Sequence, residues 1–155
     1  MSPIEQKLWD AMKECWGRSS TIRMSPAQHT TLADLSEWCD AVQSEGTIAV
    51  CAPQVLHDPY CIDFGVVALG DHSHVRIAIE CDGHDFHERT KLQAMRDRSR
   101  DRTLVADGVT VVRFTGAEIW RNPNGCVAEV TRITASELQR QCEIRHIGKG
   151  VGNAS

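Results

Sequence analysis

The sequence predicts an α/β fold, a single domain with a mixed central β-sheet flanked by helices and a helical pair at its N-terminus. Two observations predict it. The 155 residues, 41% hydrophobic and 25% charged, have the length and make-up of one globular domain. Segments of helical period stand at both ends, and β-branched runs of period two lie between them. No apolar run approaches the ~20 residues that span a bilayer. Glu5, Asp10 and Glu14 interrupt any apolar leader, so no membrane partner and a cytoplasmic location are expected. Seven cysteines, an odd number without a CxxC pair, read as reduced thiols.

The elements follow in order. Ser2, Pro3 and Glu5 have the spacing of a capping box with proline at the first helical position. Ile4, Leu8, Met12 and Cys15 then recur at helical spacing, with Trp9 and Trp16 alongside, until Gly17. Ser25, Pro26 and Gln28 repeat the signal. They predict a second helix through Leu32, Leu35, Cys39 and Val42 that Gly46 stops. Thr47–Cys51 is a short β-branched run, and Pro53 and Pro59 bracket a loop or edge segment.

Tyr60–Leu69 reads as a strand with Ile62, Phe64 and Val66 on one face and Cys61, Asp63, Gly65 and Val67 on the other. After the turn at Gly70–Ser73, Val75–Asp82 places Ile77, Ile79 and Cys81 opposite Ala78, Glu80 and Asp82. The short connection predicts an antiparallel hairpin. Glu88 to about Ala106 reads as a polar helix with a thin apolar stripe. Val109–Phe114 is almost wholly apolar and reads as a central strand. A short helix over Ala117–Trp120, a break at Asn122–Gly125 and a last helix over Val127–Ile144 follow. The expected division is a domain over 1–147 (N-terminal helices to 46, sheet core from 47) and a flexible tail over 148–155.

Three acidic residues stand in strands, where such residues are depleted: Asp63, Glu80 and Asp82. Alternation puts Glu80 and Asp82 on one face, and the hairpin brings Asp63 across from them. Carboxylates converging in this way repel one another unless a cation sits between them, and hard oxygen donors suit Mg²⁺ or Mn²⁺. The alternative is a solvated face on an edge hairpin. The net charge of −4 excludes a protein that coats DNA by bulk charge. Residues 1–70 carry four basic and nine acidic side chains, and residues 71–155 thirteen and twelve, so a polyanion would meet the second half. There Arg89, Gln93, Arg96 and Arg100 fall in one helical stripe able to track phosphates, or to form surface pairs with Asp97 and Asp101. His84, His87 and Asp82 form a partial zinc set without a fourth ligand. His72 and His74 read as surface residues, and the four tryptophans as core.

Cys-Ile-Asp-Phe at 61–64, followed by Ile-Ala-Ile-Glu-Cys-Asp-Gly-His-Asp-Phe-His at 77–87, resembles the PD-(D/E)xK nuclease superfamily. It is most similar to the branch related to very-short-patch mismatch-repair endonucleases. Ser2–Trp9, Gln93–Arg102, Asp107–Phe114 and Glu118–Pro123 match further elements of that branch in the same order. The resemblance implies a restriction-endonuclease-like domain that hydrolyses phosphodiester bonds in nucleic acid, DNA in the first place, with Mg²⁺ or Mn²⁺. It makes Asp63 the acid of the first half-motif and Glu80 that of the second, with the Cys81 carbonyl and the first-helix Glu5 joining the metal. Asp82 stands where the motif has lysine. His87 and Lys91, the one lysine between Lys13 and Lys149, are then the candidates to assist proton transfer or steady charge. The rival is a nucleic-acid-binding or partner-binding domain that keeps the nuclease fold without catalysis. Specificity falls to residues 18–46 or to a protein partner, a second copy of the chain included.

Overall fold

The computed structural model of the chain describes residues 1–71, 73–83 and 90–151, and side chains as far as residue 144. A helix over Pro3–Trp16 (α1) opens it, held by the expected reciprocal box between Ser2 and Glu5. A three-residue strand over Ile22–Met24 (β1) comes next, which the sequence reading missed. The second helix (α2, Leu32–Val42) starts later than its first capping signal. Ser25 is spent elsewhere: its N–H donates to the Cys51 carbonyl at 2.9 Å and its hydroxyl accepts from Ala27 N–H. Thr31 is the working cap, in a reciprocal box with Asp34. Gly46, at φ +82°, closes the turn after α2 in the left-handed conformation that costs glycine least.

The sheet continues with β2 (Ala49–His57), β3 (Tyr60–Leu69) and β4 (His74–Asp82). Pro53 therefore lies in a strand, past the last β1·β2 pair at Cys51, so of the two expectations it is the edge segment and not the loop that holds. A polar helix over Lys91–Ala106 (α3) leads to β5 (Val109–Thr115), a short helix over Gly116–Arg121 (α4) and a long one over Pro123–Val151 (α5). The expected break falls at Asn122, and the proline at 123 already opens the last helix, as its fixed φ suits a first helical position. That helix also takes in residues 148–151 of the expected tail. The helix predicted from Glu88 begins at Lys91, capped by Thr90.

The five strands lie in chain order, β1-β2-β3-β4-β5, antiparallel at β2·β3 and β3·β4 and parallel at the two outer pairs. The Tyr60–Leu69 and His74–Asp82 strands thus form the expected hairpin. β5 is an edge strand, not a central one. Its apolar character has another cause: Val112 and Phe114 pack into one core and Val109 and Val111 into the other, so both faces are covered while one hydrogen-bonding edge stays outside. One core, under α1, α4 and α5, holds Leu8, Met12, Phe64 and Ile79, with Trp9 stacked on Phe64 at 5.7 Å between ring centroids. The second lies under α2 and the end of α3, around Leu35, Val55, Val67 and Leu104. Trp9 and Trp16 are core, as expected, whereas Trp120 is exposed with the Lys7 ammonium over its ring. All seven cysteines are free thiols.

Candidate active site

The β3·β4 ladder runs to the pair Phe64↔Ile79. The next rung would set Asp63 opposite Glu80. There the Cys81 N–H donates to Asp63 Oδ2 at 2.7 Å instead of to a strand carbonyl. A carboxylate side chain thus stands in for backbone at the point where the sheet opens. Across β2, Gln54 sits opposite, between the paired residues Pro53↔Phe64 and Val55↔Ile62, with φ +50°. A non-glycine residue held there costs of order 1–3 kcal/mol, and such strain gathers at functional sites. The Gln54 carbonyl accepts the His29 N–H at 2.8 Å. The kink slips the alternation by one on both strands. Val50, Ala52 and Val55 share one core, as do Ile62 and Val67, whereas Phe64 and Val66 face the other. Ile62 therefore leaves the face on which strict alternation places it, and Asp63 lies in the slip.

Glu5 closes the expected helix cap and also reaches the sheet. Its Oε2 accepts the Ser2 N–H at 3.1 Å, closing the helix cap, and also the Gln54 Nε2–H at 3.0 Å. Its charge reaches Asp63 and raises the pKa of that carboxyl. Ile4 keeps the start of α1 at this end of the sheet, since a Cβ added at Gly116 would lie 2.9 Å from Ile4 Cδ1. Gln54 is the residue of this candidate site that the sequence reading missed. No spacing rule announces a strained glutamine inside a strand.

Burial dominates the electrostatics. It lifts the Asp63 carboxyl above the usual carboxylate range, with Glu5 adding to it and the Cys81 N–H and Arg100 opposing. Burial first, and then the charge of Asp63, push Glu80 up to about 8 against the pull of Arg100 and Arg113. Glu80 is 4% exposed, the one carboxylate among the buried residues described. Two groups disturbed by desolvation and by each other at the mouth of a sheet are a mark of a functional site.

Asp82 belongs to a neighbouring group. Its Oδ1 accepts from Arg113 Nη1 at 3.3 Å, and Arg113 also holds both oxygens of Asp101, at 2.6 and 3.2 Å. Lys91 and Arg98 line a cleft of about 370 Å³ with these residues, on the Asp82 side and not at Asp63. The three strand carboxylates are thus not gathered into one cluster: Asp63 and Glu80 face each other, and Asp82 is engaged by Arg113.

The expected phosphate stripe is divided as well. Gln93 is the third residue of α3, and its Oε1 accepts the Thr90 N–H at 3.1 Å, so it works as a cap. Arg96 is exposed. Arg100 turns inward, pairs with Glu80 and donates to the Cys61 carbonyl at 2.6 Å. It is no member of an outer stripe, because the face that α3 presents to the sheet is charged. Arg89 and His87, like His84 and His72, lie outside the described residues.

Among the described residues, no three His, Cys, Asp or Glu side chains are grouped to hold a metal ion. Asp63 and Glu80 nonetheless have the chemistry for one. Both are desolvated, both are oxygen donors, and the charge of Asp63 raises Glu80. Mg²⁺ commonly takes only one or two carboxylates and completes its shell with water and substrate phosphate. A Mg²⁺ or Mn²⁺ ion fits this pair once Glu80 is released from Arg100.

Among curated proteins, none matches the chain. The model of the REase_MTES_1575 family, a restriction-endonuclease-like family, matches residues 36–133. The match takes in the greater part of α2, all of β2 to β5 and the start of α5, with Gln54, Asp63, Glu80 and Arg100 inside it. With a five-stranded mixed sheet between helices and paired acids where that sheet opens, this chain belongs to the restriction-endonuclease-like REase_MTES_1575 family.

Proposed function

We propose that the protein is a metal-dependent nuclease that hydrolyses phosphodiester bonds in DNA. The observation that carries the reading is the pair of half-buried Asp63 and buried Glu80, held face to face where the β3·β4 ladder ends, in a chain of this family. DNA as substrate follows the resemblance to very-short-patch mismatch endonucleases. In the reaction a water oxygen attacks phosphorus, the bond to the leaving oxygen breaks, and the leaving oxygen takes a proton. A bound Mg²⁺ or Mn²⁺ would lower the pKa of that water and draw charge from the phosphate oxygens.

This chain's residues set the stage for the reaction. Asp63 and Glu80 would supply ligands, with the Cys81 carbonyl beside them. Glu5, tied to Gln54, adds negative charge that favours a cation. Asp82, Lys91 and Arg113 line the adjacent cleft, where a strand's phosphates would lie. His87 remains the candidate proton carrier.

The test is cleavage of plasmid, single-stranded DNA and RNA with Mg²⁺ or Mn²⁺. Cleavage that a chelator stops, and that Asp63→Asn and Glu80→Gln each abolish with unchanged circular dichroism, is the expected result. Cleavage persisting in both variants would remove these residues from the reaction. One observation favours the second reading, a nucleic-acid binder without catalysis: Arg100 already pairs with Glu80. DNA binding with no cleavage under any divalent metal would decide for it.

A further inference from the structure

α3 turns a charged stripe toward the sheet: Asp97, Arg100 and Asp101 lie above Leu104 at helical spacing and are less exposed than their neighbours. Arg100 reaches deepest. Its Nη2 donates to Glu80 Oε1 and to the Cys61 carbonyl, and its guanidinium carbon lies 5.7 Å from the centroid of the Tyr60 ring. The Arg100 side chain is 19% exposed and that of Glu80 5%. Its Nε is buried with no hydrogen-bond partner, so this pose is one the guanidinium does not fully satisfy.

We propose that Arg100 is the internal counterion of the site: it holds Glu80 in the metal-free protein and must leave that carboxylate before a divalent cation binds Asp63 and Glu80. The proposal rests on the metal-dependent reading above. The guanidinium sits on Glu80 Oε1, so a cation ligated by that oxygen would meet both its bulk and its positive charge. Arg100 therefore acts through Glu80, as a positioning residue that sets metal affinity. The apparent affinity of a site is weakened by the fraction of molecules in the competent state. A carboxylate free about a tenth of the time binds about tenfold more weakly than one always free.

The test is calorimetric titration of Mn²⁺ into the whole chain and its variants, with melting curves recorded alongside. Arg100→Gln should bind Mn²⁺ about tenfold tighter than wild type, by removal of the competing state. It should also melt lower than wild type without metal and gain more from Mn²⁺. A role in packing alone would loosen metal binding instead. Arg100→Lys keeps the charge, loses the planar guanidinium whose Nη2 bridges Glu80 and the Cys61 carbonyl, and should fall between the two. It decides the matter should the glutamine variant not fold, and unchanged or weaker affinity would then count against the proposal. With Asp63→Asn as control, equal or weaker binding by Arg100→Gln overturns the counterion while leaving the metal site intact. If wild type and Asp63→Asn bind alike, or if neither wild type nor Arg100→Gln binds, the metal reading itself fails and the counterion with it.

Discussion

Glu80 takes up a proton on folding, because its pKa rises from an ordinary value near 4.5 to about 8. Between those values the folded chain binds more protons than the unfolded one, so stability falls as pH rises from about 4.5 to 8. Glu80→Gln mimics the protonated acid. It should raise the melting temperature of the metal-free protein at pH 8 and change it little at pH 5, and an equal effect at both would mean that Glu80 titrates normally. Gln54 is open to a similar dissection. Glycine removes its strain and its bond to Glu5, whereas alanine removes only the bond. Gln54→Gly should melt above Gln54→Ala, with cleavage reduced in both. The reverse order of melting would show that φ +50° carries no strain here. Asp63 and Glu80 were legible as partners because strand period and a short turn are enough to bring them together. Arg100 was not. Helical spacing defines stripes, but the stripe that faces in is ordinarily identified by its apolar residues, and here that stripe is charged.

Among the elements, the close approach of α2 to the sheet depends on Gly65. A Cβ there would lie 2.9 Å from Val55 Cγ2 and 3.2 Å from Leu35 Cδ1. Gly65→Ala should cost about 1–3 kcal/mol through overpacking, measured by urea denaturation. No loss would mean that α2 floats more loosely than its buried Leu35 implies. Helix α1, the hairpin and the strand after Gly108 could be read because caps, period and turn residues agreed there. The start of α2 could not. Ser25-Pro26 carries a helix-start signal, yet the backbone at Ser25 is still engaged with β2. β1 was missed because three residues are too few to show a period. β5 was misplaced because an apolar strand records the covering of its faces and says nothing of its two hydrogen-bonding edges.

At the scale of the molecule, the site should work against the fold that holds it. Asp63 and Glu80 are both desolvated and the charge of Asp63 bears on Glu80, so Asp63→Asn should raise the melting temperature of the metal-free protein by the equivalent of ~1 kcal/mol. Mg²⁺ and Mn²⁺ should stabilise wild type by binding only the folded state, and the variant less. A variant that melts at or below wild type, with neither metal shifting wild type, would mean that the pair is no cation seat. The forked ladder has one further consequence. The amide proton of Cys81 hangs on a carboxylate, not on a strand carbonyl. Its exchange with solvent deuterium is therefore tied to the charge that Asp63 carries, and its chemical shift to whatever Asp63 binds. The protein thus contains its own spectroscopic probe: one nitrogen-bound proton, at the tip of the sheet, through which the occupancy of the site can be followed without a label.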